Sequence, residues 1–230
     1  LGWKLTEFIE IYNILHKKFN KQGWWPLTLK LRSEHHVGRP KTDNQRFEII
    51  IGAILNQNTN WKNVEKALFN LAKNKLLDIK KIDKVNQNKL AQLIRPAGYY
   101  NQKAERLKII ANFLTKNKIK ELNKLSTNKL REKLLDLKGI GPETADSILL
   151  YALEKPIFVI DAYTKRIFQR LGFKENSYEE WQELFHKNIK PDLTIYKEYH
   201  ALLVELGKNY CKTKPICKNC PLNSFCTGNF

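Results

Sequence analysis

Three sets of residues in this 230-residue sequence have the types and spacing to do chemistry. The first is Asp161, which ends the apolar run at residues 157–160 and opens a new helical pattern. On the residues alone, an aspartate at such a junction is expected to be a helix N-cap. The second is Gly139-Ile140-Gly141-Pro142, where two glycines interrupt a helix and a proline fits the first turn of the next. A hairpin of this kind leaves backbone N–H groups unpaired at a helix N-terminus, which can hold a phosphate without any side chain. The third is Cys211, Cys217, Cys220 and Cys226, spaced C-x5-C-x2-C-x5-C. Short loops of that length bring four thiolates around one centre. Tetrahedral zinc and a cubane iron–sulfur cluster both take such a set.

The elements that must position these residues read as helices. Apolar residues recur at helical spacing in 3–19, from Phe47 to Leu55, from Trp61 to Leu71, and again in 89–95, 103–116 and 128–136. After Asp161 the pattern resumes through Ile167, Phe168 and Leu171, then in 178–190 and 195–207. Period-2 alternation is almost absent, so the fold class is all-α. Gly23-Trp24-Trp25-Pro26 reads as a bend or extended segment, because the residue before proline avoids the helical region. Paired tryptophans there suit the core near the chain entry. Residues 31–45 read as a loop, and the adjacent His35 and His36 within it are assigned no role. The polar run at 56–60, which contains Gln57, reads as a helix end whose amides face something that needs hydrogen bonds.

Composition narrows the partners. Lys plus Arg number 41 against 23 Asp plus Glu, a formal charge of +18 with a pI near 9.7. That points to a polyanion, most simply nucleic acid, bound with steep salt dependence. Abundant lysine and asparagine could also reflect an AT-rich genome. No apolar run reaches the length of a membrane span, and no partner in a membrane is expected. Cysteines confined to the last twenty residues argue against a secreted disulfide framework. A cytoplasmic, nucleoid-associated monomer is the expectation. The chain lacks methionine even at position 1, so a trimmed N-terminus is expected.

Leu137-x-Gly139-Ile140-Gly141-x-x-Thr144-Ala145, followed by Val159-Ile160-Asp161, resembles the helix-hairpin-helix, Gly/Pro-Asp motif of the endonuclease III superfamily of DNA glycosylases. The resemblance runs from about Phe47 to Cys226. It implies two helical domains flanking a DNA-binding cleft: residues 44–155, with the hairpin, and residues 1–43 plus 156–230, with a cluster loop at 211–226. It also implies that Asp161 is the catalytic carboxylate and that Gln57 fills the gap left by an extruded base. Gly139, Ile140, Gly141 and Thr144 would contact DNA. The cysteines would hold a [4Fe-4S] cluster, with zinc as the alternative, and Lys212, Lys214 and Lys218 would project from its loops towards the phosphates.

The resemblance also bears on the reaction. Members that cleave the strand carry a lysine two residues after the second hairpin glycine, where this sequence has Glu143. A glutamate cannot form a Schiff base with the sugar, so a monofunctional enzyme with weak or no lyase activity is expected. Trp24-Trp25-Pro26, Gln57, Trp61, the 95–104 turn and Glu143 resemble the 3-methyladenine DNA glycosylase III branch. On that reading Trp24, Trp25, Pro26, Trp61 and Glu143 form the base pocket, and the substrate is double-stranded DNA carrying alkylated purines. The sequence departs from the branch in keeping the cysteine cluster. Two other readings remain: an endonuclease III-like glycosylase for oxidised or mismatched bases, and a non-catalytic iron–sulfur DNA-binding module.

Overall fold

The structure, a computed structural model, describes residues 5–29, 32–34 and 38–226. His35 and His36 lie outside the described residues. Along the chain, α1 (Leu5–Phe19) precedes a short antiparallel pair, β1 (Leu27–Leu29) and β2 (Arg32–Glu34), with Thr28 opposite Ser33. There follow α2 (Asp43–Leu55), α3 (Trp61–Lys73), α4 (Ile79–Lys84), α5 (Gln87–Leu93) and α6 (Tyr100–Lys116). Next come α7 (Ile119–Leu122), α8 (Thr127–Leu135) and α9 (Pro142–Ser147), which runs on as a π-turn over Ile148–Ala152. α10 (Ala162–Arg170), α11 (Tyr178–Asn188) and α12 (Leu193–Asn209) complete the helices. The fold is all-α apart from the three-residue strands, which are too short to show alternation in sequence. No helix among the described residues is long and apolar enough to cross a membrane.

The chain divides into two compact units, Trp25–Lys155 and Leu1–Trp24 with Pro156–Phe230. The sequence reading grouped 25–43 with the terminal segments, and this division places them with 44–155 instead. The reason is local docking onto α2: the Thr28 N–H donates to Glu48 Oε1 at 2.5 Å, and the Trp25 indole lies over Gly52.

Within the unit Trp25–Lys155, α2 is the central helix. Every residue from Phe47 to Leu55 is buried, as expected for a helix apolar on all sides. It starts at Asp43, ahead of its apolar pattern, because Thr42 and Gln45 form a reciprocal capping box. At its other end, Lys103 is 1% exposed and donates through Nζ to Leu55 O (2.9 Å) and Ala97 O (2.8 Å). One ammonium thus satisfies two carbonyls that their helices leave unpaired.

Within the terminal unit, aromatic rings fill the core. Phe158 stacks on Phe185 at 4.1 Å, and the Tyr199 hydroxyl donates to Phe8 O at 3.0 Å, tying α12 to α1. The apolar run 157–160 is extended, yet it does not pair as a strand. Its polar backbone is met by α11 side chains: Phe158 N–H donates to His186 Nε2, Gln182 donates to Phe158 O, and Ile160 N–H donates to the Tyr178 hydroxyl. Buried backbone groups need partners, and α11 supplies them.

Candidate functional site

Asp161 is the N-cap of α10. Its backbone is extended (φ −102°, ψ 178°) and Oδ1 accepts from the Thr164 N–H at 2.7 Å. Capping therefore uses only one oxygen. The other, Oδ2, lies 3.6 Å from His200 Nε2 on α12, and the aspartate side chain keeps 11% of its surface exposed. Burial pushes the carboxyl upward, but the His200 contact and the Thr164 N–H outweigh it and hold the pKa below the usual value. The group is an ionised carboxylate in a nearly dry setting. Capping and charge stabilisation are compatible there, because a carboxylate offers about four acceptor sites.

The glycine hairpin is built by local signals. α8 closes, Ile140 N–H returns to Leu137 O at 3.0 Å, and Gly139 sits at φ +85°. Gly141 is the N-cap of α9, Pro142 occupies the first turn, and Ala145 N–H bonds Gly141 O at 2.9 Å. The side chains of Ile140 and Thr144 are buried, whereas Gly141 and Glu143 are exposed. Gln57 reaches this hairpin from the end of α2. Its Nε2 donates to Gly139 O (3.1 Å) and Thr144 Oγ1 (2.9 Å), while Arg106 Nη1 donates to its Oε1. Arg106 was not singled out in the sequence, and no local pattern marks it.

The aromatic residues separate. Trp25 is 5% exposed and meets Trp61 edge-on at 5.3 Å and Tyr151 at 5.1 Å. Pro26 is buried beside it, while Trp61 is half-buried and donates its indole N–H to Glu65 Oε1 at 3.0 Å. Trp24 belongs to the other unit. Its ring meets His200 edge-on at 5.7 Å, and Lys208 Nζ lies 5.7 Å from the same ring. Neighbours in sequence, the two tryptophans have different partners. Tyr99, within the 95–104 turn, is 65% exposed with φ 47°.

The four cysteines lie in a chain of tight turns after α12. Cys220 N–H bonds Cys217 O at 3.0 Å, and Cys226 N–H bonds Asn223 O at 3.3 Å. Arg170, at the end of α10, donates to Cys211 Sγ at 3.3 Å and to the carbonyls of Lys212 and Thr213, and Cys226 Sγ donates to Arg170 O. Arg166 adds a bond to Cys211 O at 2.8 Å. Burial raises the Cys220 thiol, and Cys211, Cys217 and Cys226 all add to that rise. Among the described residues, no three His, Cys, Asp or Glu side chains form a set suited to a metal ion. Lys212, Lys214 and Lys218 are exposed on these loops.

A helical fold with a glycine hairpin entering one helix and an ionised cap opening another defines a class, and residues 51–191 match its family model. The chain belongs to the HhH-GPD superfamily of base excision DNA repair proteins and is a DNA repair glycosylase of endonuclease III-like type. It is 46% identical over 229 residues to MJ1434 of Methanocaldococcus jannaschii, described as a candidate DNA repair glycosylase, covering 97% of each chain. Against endonuclease III of Thermotoga maritima it is 31% identical over 194 residues, covering 82% of this chain and 85% of that one. The solved structure of the H. pylori 3-methyladenine DNA glycosylase MagIII, bound to 1,N6-ethenoadenine, matches with a TM-score of 0.74 and 31% identity. That match covers 90% of this chain and 98% of MagIII.

Proposed function

We propose that the protein is a monofunctional glycosylase that hydrolyses the N-glycosidic bond of alkylated purines in double-stranded DNA. The observation that carries this reading is Asp161: an ionised carboxylate whose cap uses one oxygen and leaves the other uncommitted to α10. As the C1′–N bond breaks, its electron pair leaves with the purine and positive charge develops on the deoxyribose. A fixed carboxylate stabilises that charge, orients the water that adds to C1′ and accepts the water's proton. The base must first leave the stack, and Gln57, released from its bonds to the hairpin, fills the gap. Exposed Gly141 and the first turn of α9 offer backbone N–H groups to a phosphate.

Substrate class follows from the aromatics and from Glu143. Trp61 presents a half-exposed ring backed by Trp25, and Glu65 on its indole N–H enriches the ring in electrons. A 3- or 7-alkylated purine is cationic, and such a face is worth about 0.5–2 kcal/mol to it. Trp24 is less suited to a cation, since the Lys208 ammonium lies over its ring. Glu143 stands where a lyase needs an amine, and the nearby Lys138 is paired with Glu105 at 2.7 Å. The C-x5-C-x2-C-x5-C spacing of Cys211, Cys217, Cys220 and Cys226 supports a [4Fe-4S] cluster, and Arg170 donates to Cys211 Sγ at 3.3 Å. Such a cluster, in which each thiolate binds a different iron, would stabilise the 211–226 loops structurally, with Lys212, Lys214 and Lys218 facing phosphates.

Purified protein incubated with duplexes carrying 3-methyladenine, oxidised pyrimidines or mismatches, with free base and strand breaks scored separately, tests the reading. Release of 3-methyladenine without breaks is expected, and Asp161→Asn should lower it at least about 100-fold with duplex affinity nearly unchanged. Release of oxidised bases alone would move the substrate to the endonuclease III class. Identical base release by wild type and Asp161→Asn would remove the carboxylate from the chemistry.

A further inference from the structure

His200 is 4% exposed and sits in the middle of α12, the helix that packs against both α1 and α10. A histidine in such a place is commonly a core residue with a satisfied ring. Here the ring has a direction. Nε2 approaches Asp161 Oδ2 to 3.6 Å, while the ring meets Trp24 at an interplanar angle of 82°. Trp24 in turn lies under Lys208 from the same helix. The imidazole is therefore held on one side by an indole and aimed on the other at the carboxylate.

The cap alone does not define the carboxylate. Oδ1 is tied to Thr164 N–H, but rotation about the last bond of an aspartate is soft. An unheld Oδ2 would swing. We propose that His200 is a positioning residue for Asp161, fixing the oxygen that the α10 cap leaves free. The proposal rests on the glycosylase reading and assigns the site a second helix. It also gives Trp24 the task of bracing His200 rather than stacking on a base.

Several titratable groups stand on the elements packed around His200. From α10, Asp161 faces the imidazole, and the segment before β1 presents the neutral Trp24 ring with the Lys208 ammonium above it. From α1, Tyr12 is in edge contact with Tyr199, His16 lies against Tyr12, and Lys18 lies over the Tyr210 ring at the end of α12. On α12 itself, Glu198 accepts from the N–H groups of Gln22 and Gly23. Burial acts to raise the pKa of Asp161, and the His200 contact is the largest effect opposing it.

The test compares wild type, His200→Phe and His200→Gln by single-turnover base release across pH and by duplex affinity. The Asp161 carboxyl is followed independently by 13C NMR titration. In His200→Phe, base release at neutral pH should fall up to about 100-fold, the cost of a misplaced reacting group. Both its acid limb and its Asp161 carboxyl midpoint should move to higher pH. His200→Gln keeps an N–H donor and should recover part of both. A carboxyl midpoint that is the same in all three proteins overturns the proposal. If wild type releases no base from any lesion, the glycosylase reading fails while the carboxyl titration still decides whether His200 holds Asp161.

Discussion

Two hairpin glycines should respond to the same substitution in different ways. Gly139 has φ +85°, and a Cβ built there collides with Nε, Cδ and Cγ of Arg106. Left-handed backbone costs an L-residue roughly 1–2 kcal/mol. Displacing Arg106 also breaks its charge-assisted bond to Gln57, worth about 1.5–3 kcal/mol. Gly139→Ala should therefore lose roughly 2.5–5 kcal/mol of stability, which for a chain of this size lowers Tm by roughly 5–20 °C. Gly141 has φ −91°, and a Cβ there meets nothing within 4 Å. Gly141 is the N-cap of α9, where alanine is poorer than glycine, so Gly141→Ala should lose no more than about 1 kcal/mol and melt within about 2–4 °C of wild type. What needs a bare backbone at Gly141 must then come from outside the protein. If a phosphate approaches there, Gly141→Ala should weaken duplex binding at low salt by a clear factor while the protein stays folded at the assay temperature. Thermal melts and fluorescence anisotropy on the same samples suffice. Equal duplex affinity for Gly141→Ala and wild type would refute the contact, and a tolerated Gly139→Ala would refute the strain argument.

Two further outcomes concern Lys103 and the cysteine loops. Burial, with a smaller contribution from Arg106, lowers the Lys103 ammonium to about 8. Between about 8 and its ordinary 10.5 the unfolded chain holds more protons than the folded one, so stability rises with pH there, by up to about 3 kcal/mol. Denaturant titrations of wild type and Lys103→Met should diverge across that window, and parallel curves would show that Lys103 is not desolvated as its burial requires. For the cysteine loops, anaerobically purified protein should contain iron and acid-labile sulfide in equal amounts, and Cys220→Ala should lose both. Zinc without sulfide would replace the cluster.

Much of the helical layout was legible in the residues because its signals are local. Periodicity marks α1, α2, α3, α6 and α8, the Gly-Ile-Gly-Pro sequence marks the hairpin, and Asp161 after an apolar run marks a cap. Cysteine spacing likewise places four thiols in neighbouring turns. The short α4 and α7, the strands and the π-turn carry too few residues for a period to show. The rest is long-range. Nothing near Gln57 in sequence announces that Arg106 and Gly139 will bind its amide, and nothing near Lys103 shows that two helix ends will converge on it. Trp24 and Trp25 are alike as neighbours and differ only because the chain hands one to α12 and the other to α2 and α3. Residue types and short spacings declare the cap on α10. Only helix packing, which sets distances between residues far apart in the chain, decides that His200 stands against its second oxygen.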